Sequence, residues 1–208
     1  MPSPVTFTVW SDFLCPWCFV GAVRIADLKG EFGDRLQVTW KSYLLRPEAQ
    51  VRPLDKFRNY TMSWSHPAGP GAHESRTVFN AWGDEAPPSH SVPAAIAGKV
   101  AASFGPDAFD RFHHALMTAY FTNNRTISDI EVIVDVAESC DIAADEFRGR
   151  MQLDGARLYT EVFADMSEGV DLGVHAAPTV VVNQTLPIPG AQDLDSYRMI
   201  VERILARP

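Results

Sequence analysis

VTFTVWSDFLCPWC, residues 5–18, joins an alternating run of apolar and threonine residues to a pair of cysteines. The alternation over residues 5–10 predicts a β-strand. Apolar residues then recur at helical spacing over residues 15–32, which predicts a helix that begins near the cysteines. A second alternating run over residues 36–45 predicts another strand, and this order favours a right-handed crossover between parallel strands. The start of the chain therefore predicts a β-α-β unit.

The motif Cys15-Pro16-Trp17-Cys18 places two thiols at the start of the predicted helix. Unpaired N–H groups and the positive end of the helix dipole favour an anion there, so we expect a thiolate at Cys15. Cys18, one helical turn later, can attack a mixed disulfide on Cys15 and release the partner. Pro16 suits the first helical turn because no N–H donor is needed there. The motif indicates a redox site whose thiol pKa is lowered.

Half of a zinc site and a plain buried pair are the alternatives to a redox role. The chain holds three cysteines, so only Cys140 remains to complete a cysteine-rich tetrahedron, although histidines could complete one. A C-x-x-C motif beside a β-α-β pattern is typical of thioredoxin-like redox proteins. We therefore expect redox chemistry and no metal. Cys140 itself falls on an amphipathic helix, where a free cysteine usually packs as a small hydrophobe.

Composition and charge limit the classes of partner. The 208 residues are 46% hydrophobic and 21% charged, the balance of a folded protein rather than of a disordered or fibrous one. The formal net charge is −8, and lysines and arginines form no dense cluster, which argues against a nucleic-acid or anionic-membrane partner. No apolar run approaches the ~20 residues that cross a bilayer. The chain start, Met1-Pro2-Ser3-Pro4, lacks the basic and apolar regions of a signal peptide, so we expect a cytoplasmic protein.

The middle of the chain predicts loops followed by helices. Pro, Gly, Ser and His accumulate over residues 46–93, with a short helix expected around residues 54–62. A capping box of Ser128 and Glu131 marks one helix start, and Gly155 is expected to break or bend another helix. The helical apolar spacing predicts helices over residues 93–104, 108–121, 128–140 and 145–168.

The last part of the chain returns to strands. Residues 178–183 and 186–188 predict two short strands around a turn, and residues 193–206 predict a closing helix. Proline is tolerated at the first residue of a strand, so a trans bond at Ala177-Pro178 is one interpretation. A cis bond would instead expose backbone groups of Ala177 beside the cysteines, where an extended substrate could pair with them. Given the cysteine motif, we favour the cis bond.

The cysteine motif, the long helical middle and the segment Gly173-Val174-His175-Ala176-Ala177-Pro178-Thr179-Val180-Val181-Val182-Asn183 resemble the DsbA-like thioredoxin-fold oxidoreductases, especially their cytoplasmic FrnE-like branch. The segments 11–18, 42–47 and 189–192 are similar to that branch at the matching places. The resemblance implies an α/β thioredoxin fold, residues 1–48 and 146–208, with a large all-helical insertion over residues 49–145. We expect the insertion to cover the active-site face.

The resemblance also implies roles for individual residues. Cys15 would be the nucleophile, Cys18 the resolving thiol and Pro178 the cis-proline. Pro16, Trp17, Ala177 and Thr179 are the candidate substrate-binding residues. No cofactor is expected, and glutathione is a candidate redox partner. Strongly oxidising relatives carry a histidine where this chain has Trp17, and an indole offers no cationic N–H to a thiolate. Weaker oxidising power is therefore expected, and Trp17 either contacts substrate or packs over the groove.

The predicted function is thiol–disulfide exchange through Cys15 and Cys18 with a protein or a small molecule. The alternative is a glutathione-dependent isomerase or transferase of the hydroxychromene carboxylate isomerase or kappa class, whose members usually present a serine at the position of Cys15. A chaperone-like binder that uses Trp17 is a third interpretation. The sequence leaves the substrate, the direction of exchange, the oligomeric state and the role of residues 64–90 open.

Several polar and aromatic residues have two interpretations each. Asp12 is a proton relay for the thiols or, more commonly for this residue type, a turn and capping residue. The neighbours His113 and His114 face different directions, which excludes a metal pair on one helix face. Trp64, Trp82 and Phe79 either form a binding lid or anchor the insertion, and we favour an anchor. The loop residues His66, His73, His90, Glu74, Asp84 and Glu85 show no recognised metal-ligand spacing.

Overall fold

The computed structural model describes residues 3–66, 69–70 and 76–206. Within these residues, four strands and seven α-helices follow one another as β1 Val5–Ser11, α1 Pro16–Phe32, β2 Leu36–Ser42, α2 Leu54–Thr61, α3 Val92–Ala102, α4 Pro106–Phe121, α5 Ile130–Glu138, α6 Ala144–Asp171, β3 Thr179–Val182, β4 Leu186–Pro189 and α7 Leu194–Leu205. The predicted short helix in the loop-rich stretch is α2, which continues into a short 3-10 turn at Met62–Ser65.

The four strands form one mixed sheet in the order β2-β1-β3-β4. β1 and β2 are parallel, with Val5 opposite Leu36, so the predicted β-α-β unit is present. β3 runs antiparallel to β1 and pairs with β4 across the predicted turn, where Asn183 and Gln184 both have positive φ. The central strands are the most buried because both β1 and β3 have neighbours on either side.

One face of the sheet packs against α1 and α7. Phe7 of β1 contacts the ring of Tyr197 at a centroid distance of 5.8 Å, and both side chains are fully buried. Ile25 and Leu28 of α1 lie in the same apolar cluster as Val201 of α7. Because α1 starts at the end of a central strand, this packing fixes the direction in which the cysteines are presented.

The remaining helices form a second, larger core that includes the cysteine end of α1. Phe19 of α1 stacks on Phe121 of α4 at a centroid distance of 5.6 Å. Trp64, Phe79 and Trp82 are all buried against this helical core, so the anchor interpretation of these aromatics is correct. The helices after β2 therefore pack directly on the side of α1 that carries the thiols.

The boundaries predicted for the insertion, residues 49 and 145, stay a prediction. The carboxyl-terminal boundary falls in the first turn of α6, a helix of 28 residues that contacts both α3 and β2. α6 runs without a break through Gly155, where an added Cβ would meet nothing within 4 Å. A solvent-facing glycine costs only about 1 kcal/mol relative to alanine, which the packing of Phe147 and Leu158 offsets.

The predicted capping box is wrong by one residue. Asp129 is the N-cap of α5, and its Oδ1 accepts a hydrogen bond of 2.9 Å from the backbone N–H of Glu131. The hydroxyl oxygen of Ser128 instead accepts from the backbone N–H of Ser89 at 3.0 Å. Aspartate and serine are equally good caps, so the local pattern could not distinguish them.

Over the described ranges, no helix combines the length and the apolarity that a membrane crossing needs.

Candidate active site

Cys15 occupies the N-cap of α1, immediately after the turn that follows β1. Its backbone N–H donates to the carbonyl oxygen of Asp12 at 3.1 Å, which closes that turn. Its own carbonyl oxygen accepts from the N–H groups of Cys18 and Phe19 at 3.0 and 3.3 Å. Pro16 fills the first helical position, as expected, because no donor is needed there. The sequence thus places the first sulfur at the amino end of a well-formed helix.

The pKa of the Cys15 thiol is lowered, chiefly by a hydrogen bond with the side chain of Cys18. Backbone N–H groups of Cys18 and Trp17 act in the same direction, whereas burial and the charge of Asp12 oppose them. Cys15 is 5% exposed and Cys18 is 1% exposed, so Cys15 is the sulfur that a partner can reach. The lowered pKa and the better access coincide on the same residue.

Cys18 has the opposite character. Burial, followed by the hydrogen bond with Cys15, raises the pKa of its thiol well above the ordinary value. The backbone N–H of Asp12 donates to its Sγ at 3.4 Å. All three cysteines of the chain are free thiols in this structure. Burial also raises the pKa of Cys140, which packs in the helical core as predicted.

Asp12 is a buried capping residue. Its Oδ1 accepts from the N–H of Leu14 at 2.8 Å, and its Oδ2 accepts from the N–H of Leu45 at 2.6 Å and from the hydroxyl of Ser91 at 2.7 Å. Burial raises the pKa of this carboxyl, while these hydrogen bonds and the charge of Arg46 lower it. The carboxylate is therefore held by two backbone N–H groups and one hydroxyl, in agreement with the turn interpretation.

The Ala177-Pro178 peptide bond is cis, and it lies directly against the first cysteine. The Sγ of Cys15 is 3.4 Å from the carbonyl oxygen of Ala177. Pro178 is buried, and its carbonyl oxygen accepts from the N–H of Gly190 at 2.8 Å. Thr179 is 1% exposed, and its hydroxyl donates to the carbonyl oxygen of Ala176 at 2.8 Å. Of these residues, Ala177 is the one whose backbone faces the sulfur.

Trp17 is the most exposed residue of the motif, with 36% of its surface accessible, while Pro16 is half-buried. The structure thus brings five of the predicted site residues around one sulfur. These are Pro16, Trp17, Cys18, Ala177 and Pro178, arranged about Cys15.

The family model of the DSBA-like thioredoxin domain matches residues 6–202, which is nearly the whole chain. The chain belongs to this family of thiol–disulfide oxidoreductases. The DSBA-like chain is 24% identical over 203 residues to the uncharacterized protein YwbO of Bacillus subtilis, covering 95% of this chain and 96% of YwbO.

Two solved structures show the same fold as this DSBA-like protein. A putative protein disulfide isomerase from Nitrosomonas europaea is 16% identical, with a TM-score of 0.81 over 98% of both chains. The cytosolic disulfide reductase DsbM from Pseudomonas aeruginosa is 16% identical, with a TM-score of 0.74 over 96% of this chain and 98% of DsbM. At these identities the likeness establishes the thioredoxin fold with its helical insertion.

The histidines do not assemble into a metal site in the part of the chain that the structure describes, where no three His, Cys, Asp or Glu side chains cluster suitably. His73 and Glu74 lie outside the described residues. His113 is buried among aromatic rings, with the centroid of Trp40 at 4.4 Å, and burial lowers its pKa to about 3. His114 is half-exposed on the next position, so the two histidines face different directions as predicted.

A cavity beside the motif contains residues that the sequence did not single out. Its volume is about 560 Å³, and it is lined by Leu14 and by the side chains of Arg46, Arg52 and Lys56. Nothing in the spacing of these three cations predicts a shared site, because Arg46 follows β2 whereas Lys56 lies on α2. The sequence feature that could have pointed to this cavity is Arg46 itself, because it lies within residues 42–47, a segment that resembles the FrnE-like branch.

Proposed function

We propose that this protein exchanges disulfides with a thiol or disulfide partner through Cys15 and Cys18. The observation that carries the proposal is the asymmetry of the pair. Cys15 sits at a helix start with a lowered pKa and is the more accessible sulfur, whereas Cys18 is buried behind it with a raised pKa. An attacking thiol needs thiolate character and access, and a resolving thiol needs only to reach the first sulfur.

The exchange proceeds in two balanced steps. The Cys15 thiolate attacks one sulfur of a partner disulfide, the partner's S–S bond breaks, and one partner thiolate leaves as a mixed disulfide forms. Cys18 then loses its proton and attacks the Sγ of Cys15, which releases the second partner thiolate and leaves a Cys15–Cys18 disulfide. The partner gains two electrons and the protein loses two. The reverse sequence oxidises a dithiol partner, and the relative reduction potentials set the net direction.

The proposed substrate contacts surround the exposed edge of Cys15. Ala177 presents backbone beside the sulfur, where an extended segment can pair as an added strand. Trp17 is exposed and Pro16 half-buried, and together they supply apolar surface next to Cys15. Thr179 is internal, so its contribution is to hold the Ala176 carbonyl and through it the loop before Pro178.

The alternative is the glutathione-dependent isomerase or transferase, a chemistry that uses no second thiol. The hydrogen bond between Cys15 and Cys18 is the main cause of the lowered pKa of Cys15, which favours a dithiol mechanism over it. Glutathione is proposed as a redox partner and no cofactor is proposed. The structure of cytosolic DsbM from Pseudomonas aeruginosa with glutathione, a protein of the same fold, supports both the glutathione proposal and a cytoplasmic setting; membership of the FrnE-like branch is part of the proposal and rests on the motif resemblance.

Three cysteine variants test the proposal. We expect Cys15→Ser to abolish reduction of a model disulfide, since no other described thiol has a lowered pKa. Cys18→Ser should accumulate a mixed disulfide on Cys15, visible by mass spectrometry. Cys140→Ser is the matched control and should retain the full rate, because Cys140 is buried in the helical core. A Cys15→Ser protein with an unchanged rate would rule out the proposal.

A further inference from the structure

Three positively charged side chains line the cavity of about 560 Å³ beside Leu14. Arg46, Arg52 and Lys56 line it together with the phenol rings of Tyr60 and Tyr120. Its volume lies within the ~300–1,000 Å³ typical of small-molecule sites. Leu14 directly precedes Cys15, so one wall of the cavity is the turn that holds the predicted nucleophile.

Among the residues that the structure describes, none of the three cations of this cavity forms an ion pair. Over residues 3–66, 69–70 and 76–206, no carboxylate lies within ion-pairing distance of Arg46, Arg52 or Lys56. By contrast Arg58, two residues after Lys56, forms an ion pair with Asp84. The chain as a whole carries a formal charge of −8, so carboxylates are abundant elsewhere. Arg46, Arg52 and Lys56 therefore differ from the neighbouring Arg58, which has a carboxylate partner.

Arg52 is held in place without an ion pair to any described carboxylate. Its guanidinium lies 3.9 Å from the centroid of the Phe57 ring and hydrogen-bonds with Tyr120. Burial lowers the pKa of Arg52, and the charge of Arg46 lowers it further, so the two guanidiniums repel one another across the cavity. Arg46 also acts on the buried carboxyl of Asp12, which places it close to the active-site turn. An anion bound between these groups would remove the repulsion.

We propose that this cavity binds the carboxylate of a low-molecular-weight, peptide-sized disulfide while one of its sulfurs reacts with Cys15. The inference rests on the proposed dithiol function and names its substrate class. Arginine forks match carboxylates with paired N–H donors, and the tyrosine hydroxyls add neutral donors. The ligand's disulfide is the oxidant. Cys15 attacks it and one ligand thiolate leaves; Cys18 then attacks the Sγ of Cys15 and releases the second, so the ligand gains the two electrons that the cysteines lose.

The test compares three symmetric disulfides that differ in charge: anionic dithiodipropionate, neutral hydroxyethyl disulfide and cationic cystamine. Reduced protein is mixed with each in a single turnover, and the loss of alkylatable thiols at Cys15 and Cys18 is followed by mass spectrometry. In the double variant Arg46→Gln with Lys56→Gln, we expect the rate of reaction with dithiodipropionate to fall about tenfold. Each partly exposed charge pair changes a binding constant by a factor of up to about five. The neutral rate should be unchanged.

The matched control is Arg148→Gln with Arg203→Gln, which removes two positive charges from α6 and α7, away from the cavity. It should leave all three rates unchanged. Added salt should reduce the anionic rate of the natural protein more than the neutral one.

The outcomes separate two failures. If the natural protein reduces no disulfide, the dithiol function fails. If it reduces the neutral disulfide normally but the cavity variant slows all three probes equally, or slows none, the function stands and the carboxylate site is refuted. An anionic rate that falls equally in the control variant also refutes it, because the effect would then come from net charge.

Discussion

The hydroxyl of Ser91 donates a hydrogen bond of 2.7 Å to the Oδ2 of Asp12, two residues that are separated by 79 positions in the chain. Ser91 precedes α3 of the helical insertion, and Asp12 lies in the turn between β1 and Cys15. The same carboxylate oxygen accepts from the N–H of Leu45, just after β2. One buried carboxylate thus joins the sheet, the cysteine turn and the insertion.

Asp12→Asn should weaken the fold and make Cys15 more acidic. The amide nitrogen of asparagine is a donor and cannot accept the hydrogen bond from the N–H of Leu45. Loss of that bond should lower the free energy of unfolding by about 2 kcal/mol. The charge of Asp12 raises the pKa of Cys15, so its removal should lower that pKa.

Denaturant unfolding and the pH profile of Cys15 alkylation measure these two effects. Asp34→Asn, at an exposed position after α1, is the control for loss of one negative charge and should change neither. A proton-relay role for Asp12 would instead slow closure of the Cys15–Cys18 disulfide while the alkylation profile of Cys15 stayed in place.

Cys18→Ala should raise the pKa of Cys15, because the hydrogen bond from Cys18 is the largest cause of its lowering. Because the pKa of Cys15 is lowered in the natural protein, Cys15 should be alkylated faster than an ordinary thiol at the same pH. In the variant the alkylation midpoint should move upward. Ultraviolet thiolate absorbance gives the same titration independently. Cys140→Ala should leave the midpoint in place, and an unmoved midpoint in Cys18→Ala would contradict the assigned cause.

The elements of the fold were predictable because their sequences are locally consistent. Val5, Phe7 and Val9 alternate with polar residues and become the buried face of β1. The apolar spacing of α7 puts Tyr197 and Val201 against the same sheet. In each case the periodicity reports burial directly, which is why the strand and helix assignments agree with the structure. The cysteine pair was predictable for a similar reason, since its chemistry depends on its position at a helix start.

Contacts between distant segments were not predictable in the same way. The partners of Asp12, Leu45 and Ser91, come from different elements, and no local pattern links them. The cavity cations Arg46 and Lys56 likewise meet only because α2 folds back toward the end of β2. Packing, rather than periodicity, also explains why α6 passes Gly155 without a break.

Acid should destabilise the protein through His113. Burial lowers its folded pKa from 6.5 to about 3, with smaller contributions from His114 and Lys29. The unfolded chain binds a proton below pH 6.5 whereas the folded chain does not until about 3, so stability present at neutral pH is lost as pH falls through this window. The loss should approach about 1.4 kcal/mol per pH unit from this one group.

His113→Phe should flatten that dependence, because phenylalanine retains the contact with Trp40 and does not titrate. The free energy of unfolding, measured by denaturant titration from pH 7 downward, checks the slope. His175→Gln, at an exposed position, is the control and should keep the slope of the natural protein. Equal slopes in His113→Phe and in the natural protein would show that His113 is not buried in its neutral form.

Two glycines of α6 should respond to alanine in opposite directions. A Cβ at Gly169 would lie 2.7 Å from the Nε1 of Trp10, which is fixed by a 2.7 Å hydrogen bond to the carbonyl oxygen of Asp165. The indole is fully buried and cannot move aside, so Gly169→Ala should lower the free energy of unfolding by about 1–3 kcal/mol. Gly155→Ala meets no atom and should raise it by about 0.8 kcal/mol through helix propensity. Thermal and denaturant unfolding of both variants give the comparison. Since the two changes are chemically identical and share one helix, a shift of the same sign in both would contradict the packing of α6 on β1.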